Sequence, residues 1–207
     1  MSATTGTLTG TPTALVAHTT YTVTATNSGG STTLSLVITV VEPPPASTRS
    51  YVDPTSGSFQ LKRNAALSSS SHLVLDLVGP PTGAGAGVSI TLSTDVAVVT
   101  WVDIPAGGTA ATLVQNGTQF SLGAGVPLQK ARATGNSLQV TLAQKAPTPA
   151  ATLNGTLLRI ALDLKAGLGL VSGTGIPLTV DQSKCMLLDG DGLIAPITVA
   201  AGTLTAQ

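Results

Sequence analysis

Apolar and polar residues alternate with a period of two through most of this chain. Successive side chains of a β-strand point to opposite faces of a sheet. Alternation therefore predicts strands that bury one face and expose the other. The alternating runs span 21–25, 34–40, 73–77, 88–92, 138–142, 158–164 and 176–180.

Turn-forming dipeptides and short glycine clusters separate these runs, among them Asn116-Gly117 and Asn154-Gly155. Many short strands at this spacing are typical of a β-sandwich. Leu157, Leu158 and Ala161 are also good helix formers. The strict alternation from Leu158 to Leu164 nevertheless favours a strand there, so the whole chain is predicted to be all-β.

The charge balance excludes two classes of partner. The chain has 207 residues with 9 Lys+Arg, 9 Asp+Glu and a formal net charge of zero. Nucleic-acid binding needs clustered cations that displace counterions from phosphates, and these cations are scattered. No apolar run approaches the roughly 20 residues of a membrane-spanning helix. We therefore expect neither a nucleic-acid partner nor a membrane span.

A run of three prolines, Pro43–Pro45, predicts a domain boundary because prolines cannot extend a central strand and favour an extended spacer. We assign residues 1–42 to a first module, residues 43–50 to a Pro-rich linker and residues 51–207 to a second module.

The first module resembles the C-terminal half of He-PIG-like immunoglobulin modules of bacterial surface proteins. The resemblance rests on Gly10-Thr11-Pro12-Thr13, on Tyr21–Ser31 and on the strand that ends at Val41. It implies a partial Ig-like sandwich that lacks its earlier strands and exposes strand edges. A longer parent protein, the second module or another chain is expected to supply them, and a longer parent is the simplest source.

The second module resembles cohesin modules. The resemblance rests on the order of Leu73–Val78, Gly87–Ser93, Val96–Val99, Gly155–Leu162 and the acidic glycine turn Asp189–Gly192. It implies a jelly-roll β-sandwich that binds a protein partner through one sheet face, either a dockerin-like module or another surface protein. It also implies an extracellular or cell-surface location.

The residues needed for catalysis are scarce. His18 and His72 are the only histidines, and there is no Gly-x-Ser-x-Gly sequence. His72 follows a serine run, so we expect a solvated residue at a strand edge. The single cysteine, Cys185, is expected to be a small buried hydrophobe. We predict a protein that is not an enzyme and has no cofactor.

Calcium is the one metal that the sequence leaves open. Asp189 and Asp191 share a tight turn, and Asp181 follows the preceding strand. Carboxylate oxygens are the ligands that calcium prefers. The alternative explanation is an ordinary Asp-Gly turn, which needs no ion.

Two further functions remain as alternatives to protein-protein adhesion. Polysaccharide binding would use exposed aromatic side chains, with Trp101 and Tyr51 as the residues to test. Assembly by β-strand complementation would use the incomplete Ig-like module to exchange strands between chains.

Overall fold

The computed structural model describes residues 5–41, 48–107, 112–122 and 128–207. The chain divides into two compact units, Met1–Pro44 and Pro45–Gln207. The predicted proline spacer at Pro43–Pro45 lies outside the described residues.

The described part of the first unit contains one β-hairpin, formed by β1 (Val16–Asn27) and β2 (Gly30–Val40). The strands are antiparallel and place Tyr21 opposite Leu36. Asn27 closes the turn because its side-chain oxygen accepts a hydrogen bond of 2.8 Å from the Gly29 N–H. The period of two gives the hairpin an apolar face and a face of threonine and serine. The side chains of the apolar face are Val16, Tyr21, Val23, Ala25, Leu34, Leu36, Ile38 and Val40.

The described part of the second unit is built from short strands and one 3-10 turn, Gln182–Lys184. Its strands are β3 (Arg49–Val52), β4 (Phe59–Arg63), β5 (His72–Val78), β6 (Ala84–Thr94), β7 (Val99–Val102), β8 (Gln115–Asn116), β9 (Leu128–Thr134), β10 (Ser137–Ala143), β11 (Ala151–Thr152), β12 (Thr156–Leu164), β13 (Gly175–Ile176), β14 (Leu178–Val180), β15 (Met186–Asp189), β16 (Ile194–Pro196), β17 (Val199–Ala200) and β18 (Thr203–Ala206). The all-β prediction is confirmed, and so is a strand instead of a helix at Leu158–Leu164.

Two sheets form the sandwich. The larger sheet has the order β16-β15-β6-β10-β9, and β11 and β14 also pair with β6. The smaller sheet has the order β17-β4-β5-β12-β7, and β8 pairs with β12. A third group, β13-β18-β3, brings the first and last strands of this unit side by side.

The core lies between the two sheets. Alternate residues of the central strands are completely buried there, for example Leu75 and Ile160 of the smaller sheet and Ile90 and Val140 of the larger one. Burying one such side chain stabilises the fold by about 1.5–3 kcal/mol. The opposite residues of each strand form the outer faces of the sandwich.

Two strand boundaries in this unit differ from the sequence prediction. The predicted linker included Arg49 and Ser50, but both lie in β3 and pair with the C-terminal strand β18. The run 176–180 was predicted as one strand. It is divided at Pro177, which has no N–H to donate, so β13 joins the three-stranded group while β14 pairs with β6.

Candidate functional site

The outer face of the smaller sheet satisfies its own polar groups. The Asp76 carboxylate accepts a hydrogen bond of 3.0 Å from Arg159 Nε and another of 3.0 Å from Asn64 Nδ2. A second apolar cluster covers part of this face and consists of Val74, Ile104 and Ala161. The part of this face around Val74 and Ala161 is therefore covered.

His72 lies on the same outer face, directly opposite Asp163 of β12. The prediction of a solvated residue is wrong, because His72 is only 2% exposed. Its Nδ1 lies 2.7 Å from Asp163 Oδ1, and its Nε2 lies 2.7 Å from the carbonyl oxygen of Ile104. A catalytic histidine of a Ser-His-Asp triad presents its second nitrogen to a nucleophile. Here that nitrogen faces a backbone carbonyl, so this pair is not arranged for nucleophilic catalysis.

The outer face of the larger sheet is open and carries small hydroxyl side chains at its centre. Ser89 and Thr141 lie on adjacent strands, and their hydroxyl oxygens are 2.9 Å apart. Lys130 and Arg132 stand opposite Thr141 and Gln139 at the edge of the sheet, and both cations are exposed. Strands β6, β9 and β10 contain no Asp or Glu. This part of the face is therefore positively charged.

An apolar depression of about 200 Å³ lies beside the hydroxyl groups on this outer face. Its wall includes Gly87, Ala143, Met186, Leu188 and Ile194. A Cβ at position 87 would come within 2.7 Å of the Ala143 Cβ, so glycine keeps the floor of the depression flat.

Exposed apolar side chains stand around the depression. Ile194, which forms part of its wall, is 74% exposed. Leu128, which pairs with Ala143 across β9 and β10, is 51% exposed. The depression and these exposed side chains together form an apolar area next to Lys130 and Arg132.

The three aspartates of the calcium hypothesis do not form one ligand group. The Asp189 side chain accepts hydrogen bonds of 2.9 Å from the N–H groups of Asp191 and Leu193 within its own turn. Asp181 pairs with Lys184 at 2.8 Å, and this contact lowers the pKa of the Asp181 carboxyl. The described residues contain no group of three His, Cys, Asp or Glu placed to hold a metal ion. Calcium binding stays a prediction.

The aromatic side chains of the sandwich belong to its core. Trp101 is 4% exposed, and Tyr51, Phe59 and Phe120 are also buried. Trp101 and Tyr51 were the residues proposed to bind polysaccharide. No aromatic platform is left on the sandwich within the part of the chain that the structure describes, so polysaccharide binding is not supported.

No helix among the described residues is long and apolar enough to cross a membrane.

The chain matches no profile of a known protein family and no curated protein. Solved structures do match. A type II cohesin domain from the cellulosome of Acetivibrio cellulolyticus superposes with a TM-score of 0.52 and 15% identity, over 72% of this chain and 94% of that domain. The sandwich has the fold of a cohesin module.

Two further cohesins superpose less closely. A type II cohesin from a cohesin-X-dockerin complex of Acetivibrio cellulolyticus has a TM-score of 0.48 at 12% identity, covering 70% of this chain and 94% of that one. A cohesin module from a family 33 glycoside hydrolase of Clostridium perfringens has a TM-score of 0.41 at 10% identity, covering 77% and 93%. The Ig-like interpretation of the first unit stays a prediction.

Sequence reasoning expected one sheet face to bind a partner but did not choose between the two faces of the cohesin fold. Gly87 and Ala143 are far apart in sequence, and only the register of β6 with β10 shows that they are neighbours. A glycine inside an apolar strand is the one local signal, since it often marks close approach of another backbone or a ligand.

Proposed function

We propose that the chain is a non-catalytic, extracellular protein-binding module and that it binds through the outer face of the larger sheet. The observation that carries this proposal is the apolar depression of Gly87, Ala143, Met186, Leu188 and Ile194 on an open face that also carries Lys130 and Arg132. Desolvated apolar pockets surrounded by polar groups are typical anchor points of protein interfaces. The cohesin fold supports a role in assembly.

The depression and the two cations define the partner that fits. A volume of about 200 Å³ admits one apolar side chain of the partner. Lys130 and Arg132 form no ion pair among the described residues. A partner that places a carboxylate beside its apolar anchor would neutralise them and associate faster at low salt. A dockerin-like module is one candidate, and another surface protein is the other.

Ala143→Arg tests this face, because Ala143 is half-buried in the wall of the depression and a long charged side chain would fill it. We expect at least about a tenfold loss of affinity, since burying one apolar side chain contributes about 1.5–3 kcal/mol. The unchanged chain is immobilised and used to capture surface-exposed proteins of the source organism. The affinity of the captured protein for the unchanged chain and for Ala143→Arg is then measured by titration.

Ala166→Arg is the matched control. Ala166 is an exposed residue in the turn after β12, so the same change adds the same charge away from the depression. The captured protein should bind the control like the unchanged chain. Equal binding to both variants would place the interface elsewhere, and no specific capture by the unchanged chain would contradict the proposed function.

The hairpin of the first unit favours strand complementation as a second function. Tyr21 and Leu34 on its apolar face are 44% and 68% exposed, and an isolated two-stranded hairpin is only marginally stable in water. Residues 5–41 contain no Asp, Glu, Lys or Arg, so no charge opposes pairing of its strand edges with those of a second copy.

Light scattering over a concentration series tests this second function. We expect the molar mass to rise toward that of a dimer with concentration, and Leu34→Lys to keep the chain monomeric. A molar mass of one chain at every concentration would contradict complementation between copies. Repeating the series with calcium tests the prediction for Asp189 and Asp191.

A further inference from the structure

The buried imidazole of His72 lies between two hydrogen-bond acceptors. Asp163 Oδ1 faces Nδ1 and the Ile104 carbonyl oxygen faces Nε2, both at 2.7 Å. A carbonyl and an ionised carboxylate cannot donate, so each contact needs an N–H from the ring. A neutral imidazole has one N–H, whereas an imidazolium has two. The full set of hydrogen bonds therefore requires the charged ring.

We propose that His72 is a proton-dependent latch. As the imidazolium it holds the segment Asp103–Gly107 on the outer face of the smaller sheet, and loss of one ring proton releases that segment.

The chemistry of the two acceptors determines which of the two hydrogen bonds breaks when the ring loses a proton. A carboxylate binds an N–H more strongly than a neutral carbonyl does. The neutral ring therefore keeps its remaining proton on Nδ1, toward Asp163. The Nε2 lone pair then faces the lone pairs of the Ile104 carbonyl oxygen, and this contact becomes repulsive.

Release of Ile104 would uncover apolar surface. Ile104 packs on Val74 and Ala161, which are 0% and 1% exposed, and Val102 packs against the same cluster. These residues lie on the side of β5 and β12 that points away from the main core. The latch would therefore switch a second face of the sandwich between covered and open without unfolding the core.

The charged groups around the ring come from three strands and from the segment itself. Asp163 of β12 faces the ring directly, and its side chain is 35% exposed. Arg49 of β3 interacts electrostatically with Asp163 and with Arg63 of β4. The Asp103 carboxylate accepts N–H bonds from Thr112 and Leu113. Within the described part of the chain, Asp163 provides the carboxylate contact to the ring.

The test is to follow ring protonation and segment opening in the same samples of the full chain. Ring ¹⁵N resonances report the protons on His72 as the pH is raised, and cross-relaxation between the methyl groups of Ile104 and Val74 reports whether the segment is closed. We expect the open fraction to rise about tenfold over the interval in which the ring loses its second proton. A ring with one N–H throughout, or opening that does not follow the ring, would overturn the proposal.

Two variants separate the latch from general effects of pH. His72→Gln should abolish the pH response of the segment, and His18→Gln in the first unit should leave it unchanged. A response that survives in His72→Gln would overturn the proposal.

If the His72→Gln variant does not fold, Asp163→Asn replaces it. Ring titration and segment opening should then move together to lower pH, because a neutral amide stabilises the imidazolium less. Movement of the titration alone would also overturn the latch.

Discussion

Gly202→Ala is expected to destabilise the sandwich by about 3 kcal/mol or more. Gly202 lies between β17 and β18, where an added Cβ would overlap the backbone carbonyl oxygen of Val52. It would also come within 2.9 Å of the Tyr51 hydroxyl. A backbone atom paired in a sheet cannot rotate away, so the strands β3 and β18 would have to separate.

The measurement is denaturant unfolding followed by tryptophan fluorescence. Trp101 is the only tryptophan and is buried in the sandwich, so it reports on that unit. Gly175→Ala is the control, because nothing lies within 4 Å of its added Cβ. We expect the control to stay within about 0.5 kcal/mol of the unchanged chain. Equal unfolding midpoints for the two variants would show that the contact with Val52 is not restrictive.

Tyr51→Phe is expected to cost about 1–3 kcal/mol at neutral pH. The buried Tyr51 hydroxyl donates a hydrogen bond of 2.8 Å to the Leu61 carbonyl and accepts one of 2.7 Å from the Gly202 N–H. Phenylalanine keeps the ring but removes the hydroxyl. The Leu61 carbonyl then loses its donor, and the Gly202 N–H loses its acceptor. Tyr21→Phe in the exposed hairpin is the control and should not change the transition seen by Trp101.

The same hydroxyl makes stability depend on pH. Burial raises the pKa of Tyr51 from its ordinary 10.0 to about 12. The folded chain then holds the phenolic proton more tightly than the unfolded chain does, so this contribution is complete below pH 10 and is lost as the pH rises toward 12. The gap in unfolding free energy between the unchanged chain and Tyr51→Phe should shrink over that window. A gap that stays constant from pH 9 to pH 12 would contradict this assignment.

The sequence predicts this fold well where burial follows the period of two. Leu158–Leu164 shows why, since its alternation identifies both the strand and its buried face without knowledge of the neighbouring strands. The pattern fails where contacts come from distant segments. Arg49 and Ser50 form a strand only because residues 205 and 206 pair with them.

The same reason explains the prediction that failed for His72. Alternation correctly places its side chain on the face opposite to Leu73, which is normally solvated. The segment that covers this face contributes Ile104, 32 residues further along the chain, and that segment has no periodic pattern. The candidate binding face was also not visible in the sequence, because its depression arises from the register of four strands, β6, β10, β15 and β16.

The pairing of β3 with β18 also determines how the sandwich would respond to mechanical force. Thr48 and Gln207 exchange two backbone hydrogen bonds, of 3.0 and 2.8 Å, so these two ends of the paired strands lie side by side. In an antiparallel pair the hydrogen bonds run perpendicular to the strands. Tension between these two ends would load the bonds one after another, as in opening a zipper, and would not shear them together. The module would therefore yield to small forces along this axis, beginning with the strand that carries Tyr51.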